Sequence, residues 1–275
     1  MNREYGKNIV LNHAKSKSQD HITKFESLPK LMAVKDVIFP PTFSLSSRFS
    51  LTVLDQGSIG SCVANSFAAI MKSLHNIMPS RLYYYFNARV ATGTSPTYDS
   101  GLDLLQAYPI FKSFGIVPEI NWRYITTNYS QMPPYSLTYK VANTVIPVTV
   151  SNVAQNDAAI KAALYSNNFI IFGIYVYSSF MTRAVASTGI IPMPNTKNES
   201  LQGGHCIHIV GWTTYKNTPY YIIQNSWSTG WGNGGAATAT AAVPFKNNGK
   251  NGGFAYIPTA YVLNPILAFE LLAVT

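Results

Sequence analysis

The sequence predicts an α+β fold in which a helical lobe, about residues 55–135, precedes a β-rich lobe, about 136–275, with a cleft between them. Two observations predict it. After Cys62, apolar residues recur at Val63, Phe67, Ile70, Met71, Leu74 and Ile77, the period of one buried helix face. Beyond Met132-Pro133-Pro134 the pattern turns into short apolar or alternating runs rich in β-branched and aromatic residues. With 275 residues, 47% of them hydrophobic, the chain can bury one sizeable core, as a single large domain or as two small lobes.

Residues 1–38 read as a polar extension that ends before Phe39-Pro40-Pro41, the entry to a folded domain over 39–275. The extension is expected to be a strap packed on the surface, with an inhibitory or docking arm across the cleft as the alternative. Helices are expected at 62–76, extending to about Pro79 with Ser61 as N-cap, at 80–90 and at 102–114, where Gly115 supplies a stop. The run Tyr83-Tyr84-Tyr85-Phe86 reads as helix packing. In the second lobe strands are expected at 144–150, 169–177, 205–212, 220–224 and 254–257, with one helix at 157–165. The segment 236–250 contains a run that can pair as a strand and then a Gly/Asn/Lys-rich loop, read as a tolerated excursion near the rim of the cleft.

The chemistry concentrates in three places: Asp55-Gln56-Gly57-Ser58-Ile59-Gly60-Ser61-Cys62, Gly203-Gly204-His205, and Gln224-Asn225-Ser226-Trp227. A cysteine in the first turn of a helix faces unpaired N–H groups and the positive end of the helix dipole, so its pKa is expected to fall toward that of a nucleophilic thiolate. His205 and Asn225 lie on two candidate adjacent strands, where a carboxamide can hold an imidazole that shares a proton with the thiol.

On these residues the chain resembles the papain-like cysteine peptidases. The family signature places a histidine and an asparagine roughly 130–150 residues after the nucleophile; the interval from 62 to 205 falls inside that range, and the interval to 225 is slightly longer. Gln56 matches the family's oxyanion-hole glutamine, Gly204 precedes the histidine as in the family, and Asn225-Ser226-Trp227-Ser228-Thr229-Gly230-Trp231-Gly232 follows its asparagine block. The matched motifs run from about Gln56 to Gly232, most of the chain. The resemblance implies a two-lobe papain-like fold, catalysis by Cys62, His205 and Asn225 with Gln56 at the oxyanion, and Trp227 covering the His205–Asn225 hydrogen bond. It also implies that Ser100 and Gly101 lie in the stretch that binds an extended substrate backbone, although the family's double glycine is not intact there.

The sequence departs from secreted members at Ile59, where they carry a disulfide cysteine, and at Val63, where they carry an aromatic residue. Its only cysteines are Cys62 and Cys206, so no disulfide framework is available. This fits members of bacterial and large-virus type and a reducing compartment, virion-associated if the source is viral. The first residues are polar and carry no secretory pattern, and the most apolar run, Phe169–Tyr177, is far short of the ~20 residues a helical membrane span requires.

Net charge is +9, but much of the excess lies in residues 1–35 without a clustered basic motif, so specific nucleic-acid binding is not expected. Strand alternation points Cys206 and His208 away from His205, which leaves Cys206 in the core and removes a metal site from Cys206/His208; no cofactor is expected. The expected partner is a peptide or protein substrate. The expected reaction is peptide-bond hydrolysis through a thioester. The alternatives are a cysteine acyltransferase with the same triad and a silent binding protein on the same fold.

Overall fold

The computed structural model describes residues 28–31, 37–140, 142, 148–233 and 252–275. Most of the predicted extension, the first part of the predicted strand at 144–150 and the segment 236–250 lie outside the described residues.

Helix α1 spans Cys62–His75 and stops where Asn76 adopts a left-handed conformation (φ 57°), short of Pro79. Every side chain from Cys62 to Met71 is buried, including Asn65 and Ser66. The first ten residues of the helix are therefore enclosed on all sides rather than along one face, and its last four are partly exposed. It packs on one side against the strands Leu201–Tyr215 and Phe169–Tyr177 and on the other against the second helix. That helix, α2, spans Arg81–Ala91, with Ser80 accepting a hydrogen bond from the Tyr83 N–H at its start. Tyr83, Tyr84 and Tyr85 are fully buried, as the packing reading expects. Helix α3 spans Leu104–Ser113, capped by the Asp103 carboxylate, and Gly115 follows it at φ 68°. Phe111 of α3 stacks on Phe67 of α1 with ring centroids 4.2 Å apart, which locks the helical lobe together.

Among the described residues the second lobe is built on a seven-stranded sheet: β1 (Phe43–Ser44), β2 (Val150–Asn152), β3 (Phe169–Tyr177), β4 (Leu201–Tyr215), β5 (Thr218–Gln224), β6 (Phe254–Pro258) and β7 (Ala268–Val274). Strand order is β2-β7-β3-β4-β5-β6, with β1 pairing with β4, and every pair is antiparallel. Helix α4 (Asp157–Tyr165) covers β3 and β4, capped by Asn156. Two shorter helices, α5 (Arg183–Thr188) and α6 (Thr259–Val262), complete the lobe.

Several expectations change. Strand β4 begins at Leu201 rather than at His205, so the histidine lies inside a hydrogen-bonded ladder against Ile174 of β3. Among the described residues the strand expected at 144–150 is β2, which starts only at Val150. Strands β1 and β7 and helices α5 and α6 have no counterpart among the expected elements. The third helix is two residues shorter at its start, because the Asp103 side chain binds the Gln106 N–H and fixes the first turn there. Residues 28–31 of the extension run beside β2: the Leu31 N–H donates to Asn152 O (3.0 Å), the Asn152 N–H donates to Pro29 O (2.8 Å), and Leu28 is buried.

Candidate active site

Cys62 is the first residue of α1, and the loop before it is held from two directions. On one side the Tyr124 hydroxyl donates to Gln56 O (2.8 Å) and lies 2.5 Å from Ser61 Oγ, while Asn65 Nδ2 donates to Ser61 O (3.0 Å) and Ser61 Oγ (2.9 Å). Arg81 reaches the same loop: one Nη1 binds Asp55 O (3.2 Å) and Asn65 Oδ1 (2.9 Å), and its other nitrogens form a two-point ion pair with Glu119 at 2.7 Å. Ser61 thus holds the N-cap position, but its side chain makes no cap hydrogen bond; it is engaged with Tyr124 and Asn65 instead.

On the other side the Gly60 N–H donates to both carboxylate oxygens of Asp99, each at 3.0 Å. Asp99 precedes Ser100 and Gly101. Gly101 is buried at φ 74°, a conformation that favours glycine, and its N–H donates to the Tyr85 hydroxyl (3.1 Å). The Ser100 hydroxyl turns back to Gly101 O (3.2 Å).

His205 stands on β4 and Asn225 follows β5, side by side in the sheet. His205 Nε2 lies 2.8 Å from Asn225 Oδ1, and the same oxygen accepts the Ser226 N–H at 2.8 Å. An oxygen that already accepts from a backbone N–H fixes the orientation of the carboxamide. The proton of the imidazole is therefore on Nε2, and Nδ1 carries the lone pair in the neutral ring. The Trp227 ring stacks on the imidazole (centroids 5.0 Å, 27° between planes), and Phe180 and Trp231 pack edge-on against Trp227 at 5.6 and 5.3 Å. His205 and Cys62 are both fully buried, Asn225 and Trp227 nearly so.

Gln56 joins these pieces. Its N–H donates to Ser226 O (2.8 Å), and its side-chain oxygen accepts the Ser226 hydroxyl (2.7 Å). With Oε1 so engaged the carboxamide cannot flip, and Nε2 spends one N–H on Ile59 O (3.1 Å). A carboxamide nitrogen has a second N–H to offer. Gly204, predicted from its place before the histidine, is buried in β4 opposite Tyr175 of β3.

The Cys62 thiol departs from expectation. Burial pushes it up to about 11, while the N–H groups of Cys206, Val63 and Cys62 itself pull it the other way and the charge of Asp99 adds to the rise. Desolvation outweighs the helix start. One turn beyond Cys62, Ser66 Oγ donates to Cys206 O (3.1 Å), which fastens α1 to the residue that follows His205. Cys206 itself is fully buried, and burial raises its thiol as well. His208 points away from His205 to Gln224 (Nε2–Oε1 3.2 Å). Both cysteines are free. Among the described residues no group of three or more His, Cys, Asp or Glu side chains is arranged to hold a metal ion, and no helix is long and apolar enough to cross a membrane.

Sequence reading missed the roles of the residues that hold the loop: Asn65, Arg81 with Glu119, Tyr85, Asp99, Tyr124 and Ser226. The one signal available was Ser226 within the asparagine block; the others are brought in by the tertiary fold.

Comparison with known proteins decides the family. The profile described as papain family cysteine protease matches residues 47–247. This chain belongs to the papain family of cysteine proteases. Among its relatives, the uncharacterized peptidase C1-like protein L477 of Acanthamoeba polyphaga mimivirus is 33% identical over 197 residues, 66% of this chain and 62% of that protein. A cysteine protease of Blomia tropicalis is 25% identical over 206 residues, 71% of this chain and 60% of its own length. The chain thus spans about three fifths of these papain-family relatives. Xylellain, a cysteine protease from Xylella fastidiosa, superposes with a TM-score of 0.75 at 27% identity, covering 100% of this chain and 98% of that one. A procathepsin B from Trypanosoma congolense matches at a TM-score of 0.62 and 15% identity, covering 98% and 87%, which shows the shared two-lobe papain fold. With a bacterial and a viral relative and no disulfide of its own, the chain fits the disulfide-free bacterial and viral part of the papain family.

Proposed function

We propose that the chain is a cysteine peptidase that hydrolyses peptide bonds through Cys62, His205, Asn225 and Gln56. The observation that carries this reading is the His205 Nε2–Asn225 Oδ1 hydrogen bond beneath the Trp227 ring, because it leaves Nδ1 as the basic nitrogen of a fixed imidazole. The Cys62 thiol gives its proton to Nδ1, and the resulting thiolate–imidazolium pair offsets the desolvation that otherwise holds the thiol high. The thiolate attacks the substrate carbonyl. The Cys62 N–H and the second N–H of Gln56 Nε2 stabilise the oxyanion, and His205 returns the proton to the leaving amine. Water, deprotonated by His205, then hydrolyses the thioester. Ser100, Gly101 and Gly204 would border an extended substrate backbone, and the domain would begin near residue 39. Two free thiols suit a reducing compartment.

The test is alkylation by an epoxide-type thiol reagent under reducing conditions, read by intact mass and peptide mapping, on the wild type, Cys62→Ala, His205→Ala and a form trimmed of residues 1–27. Modification at Cys62 alone, dependent on His205, is expected. Faster labelling after trimming would make the extension an inhibitory arm. Absence of labelling in every folded form would overturn the peptidase reading. A product analysis with an added amine separates hydrolysis from acyl transfer.

A further inference from the structure

We propose that Asp99 is a positioning residue for Cys62, clamping the loop that presents the nucleophile onto the segment that binds the substrate backbone. The inference rests on the reading of Cys62 as nucleophile and adds a residue to it.

The clamp has three arms. The Gly60 N–H, two residues before Cys62, is shared between both oxygens of the Asp99 carboxylate at 3.0 Å. The Tyr85 hydroxyl donates to Asp99 Oδ1. The Gly101 N–H donates in turn to the Tyr85 oxygen (3.1 Å), so one buried tyrosine of α2 ties the two residues that flank Ser100. Tyr85 is itself fixed. The Arg89 guanidinium, one helical turn on, lies 4.0 Å from the centre of its ring, and Arg89 Nη1 also binds Pro96 O (2.8 Å) and Tyr98 O (2.7 Å). The segment from Pro96 to Gly101 is therefore fastened to α2 at four points, and through Asp99 the nucleophile loop is fastened to that segment.

A carboxylate suits this place because it only accepts, and here it faces an N–H and an O–H at once. With Ile59 in this loop and Cys62 and Cys206 the only cysteines of the sequence, no disulfide can secure the loop, and the fastening is polar. The arrangement carries an electrostatic cost, since a negative charge beside the nucleophile opposes thiolate formation. That opposition gives the role a signature that a merely structural residue lacks: removing the charge makes the thiol easier to ionise while loosening the geometry it needs for turnover.

The experiment compares wild type, Asp99→Asn, Asp99→Ala and Tyr85→Phe in the full chain. It measures kcat and KM on a fluorogenic peptide, the pH dependence of Cys62 alkylation by a small epoxide, and Tm. Expected is a fall in kcat of about 10- to 100-fold for Asp99→Ala, the cost of an ångström-scale misplacement, with Asp99→Asn and Tyr85→Phe intermediate. Alkylation of both Asp99 variants is expected to begin at lower pH than in wild type. If Asp99→Ala does not fold, the isosteric Asp99→Asn and the neutral Tyr85→Phe decide. Unchanged kcat and an unchanged alkylation profile, with only Tm lowered, overturn the proposal while leaving Cys62 as nucleophile. Failure of the wild type itself to label overturns the underlying reading, and this one with it.

Discussion

His208 is expected to make the folded protein lose stability in mild acid. It sits on β4 opposite Gln224, fully buried, with Nε2 3.2 Å from Gln224 Oε1 and its ring edge-on to Phe169 at 6.2 Å. Burial lowers its pKa to about 4 from the ordinary 6.5, against the opposing pull of the Gln224 hydrogen bond. Between these two values the unfolded chain takes up a proton that the folded chain refuses, so stability falls as pH falls. At ~1.36 kcal/mol per pH unit the loss amounts to about 3 kcal/mol by pH 4, a large part of a typical 5–15 kcal/mol. Gln224 also donates to Thr52 O (2.6 Å) and adjoins Asn225. The check is urea unfolding at several pH values from 7 to 4 for the wild type and His208→Gln, which keeps a donor toward Gln224. The variant is expected to be less stable at pH 7 and to gain on the wild type steadily below 6.5. A stability difference between the two proteins that stays constant with pH would refute the reasoning.

Three further outcomes are expected. In His205→Ala, epoxide labelling of Cys62 should be very slow at pH 7 and rise about tenfold per pH unit toward the thiol's value of about 11, whereas the wild type labels near neutrality; rates followed by mass spectrometry from pH 6 to 10 test this. Gln56→Ala should lower kcat by about 10²–10³ with a smaller change in KM, as removal of an oxyanion donor does, in steady-state assays on a peptide substrate. Gly211→Ala should cost about 1–3 kcal/mol, seen as a Tm several degrees lower, because its Cβ would lie 2.2 Å from Phe43 O and push β1 off β4.

The sequence was most legible where local chemistry and burial agree. Strand β3 and helix α4 have the predicted bounds because the first is a β-branched and aromatic run and the second starts at an Asn cap that closes on the Ala159 N–H (2.9 Å). Strand β7 was illegible for the opposite reason. Its residues Ala268, Glu270, Leu271 and Leu272 are good helix formers, every one is buried so no alternation appears, and Glu270 sits at φ 58° where the pairing with β3 shifts register. At the site, residue types and their order pointed to Cys62, His205 and Asn225, since their chemistry is written in short motifs. The tautomer of His205 depends on what else Asn225 Oδ1 accepts, and the clamp joins Gly60 to Asp99 and Tyr85 across loops; neither leaves a local pattern. The thiol was misjudged because a helix start can be read from sequence and enclosure cannot.

The place of β7 in the sheet has a consequence for how this molecule is made. It lies between β2 and β3, so the latest in sequence of the described strands fills a slot in the interior of the sheet. While the chain is being synthesised, Cys62 and the helices around it emerge first, and β3 waits with an open edge until residues 268–274 leave the ribosome. A chain halted at Asn264 is expected to bind hydrophobic dyes and to leave Cys62 unlabelled by the epoxide. The strand that completes β3, itself the neighbour of the strand that carries His205, is thus seated late, and a ribosome-bound chain holds its thiol long before it holds the finished scaffold for its base.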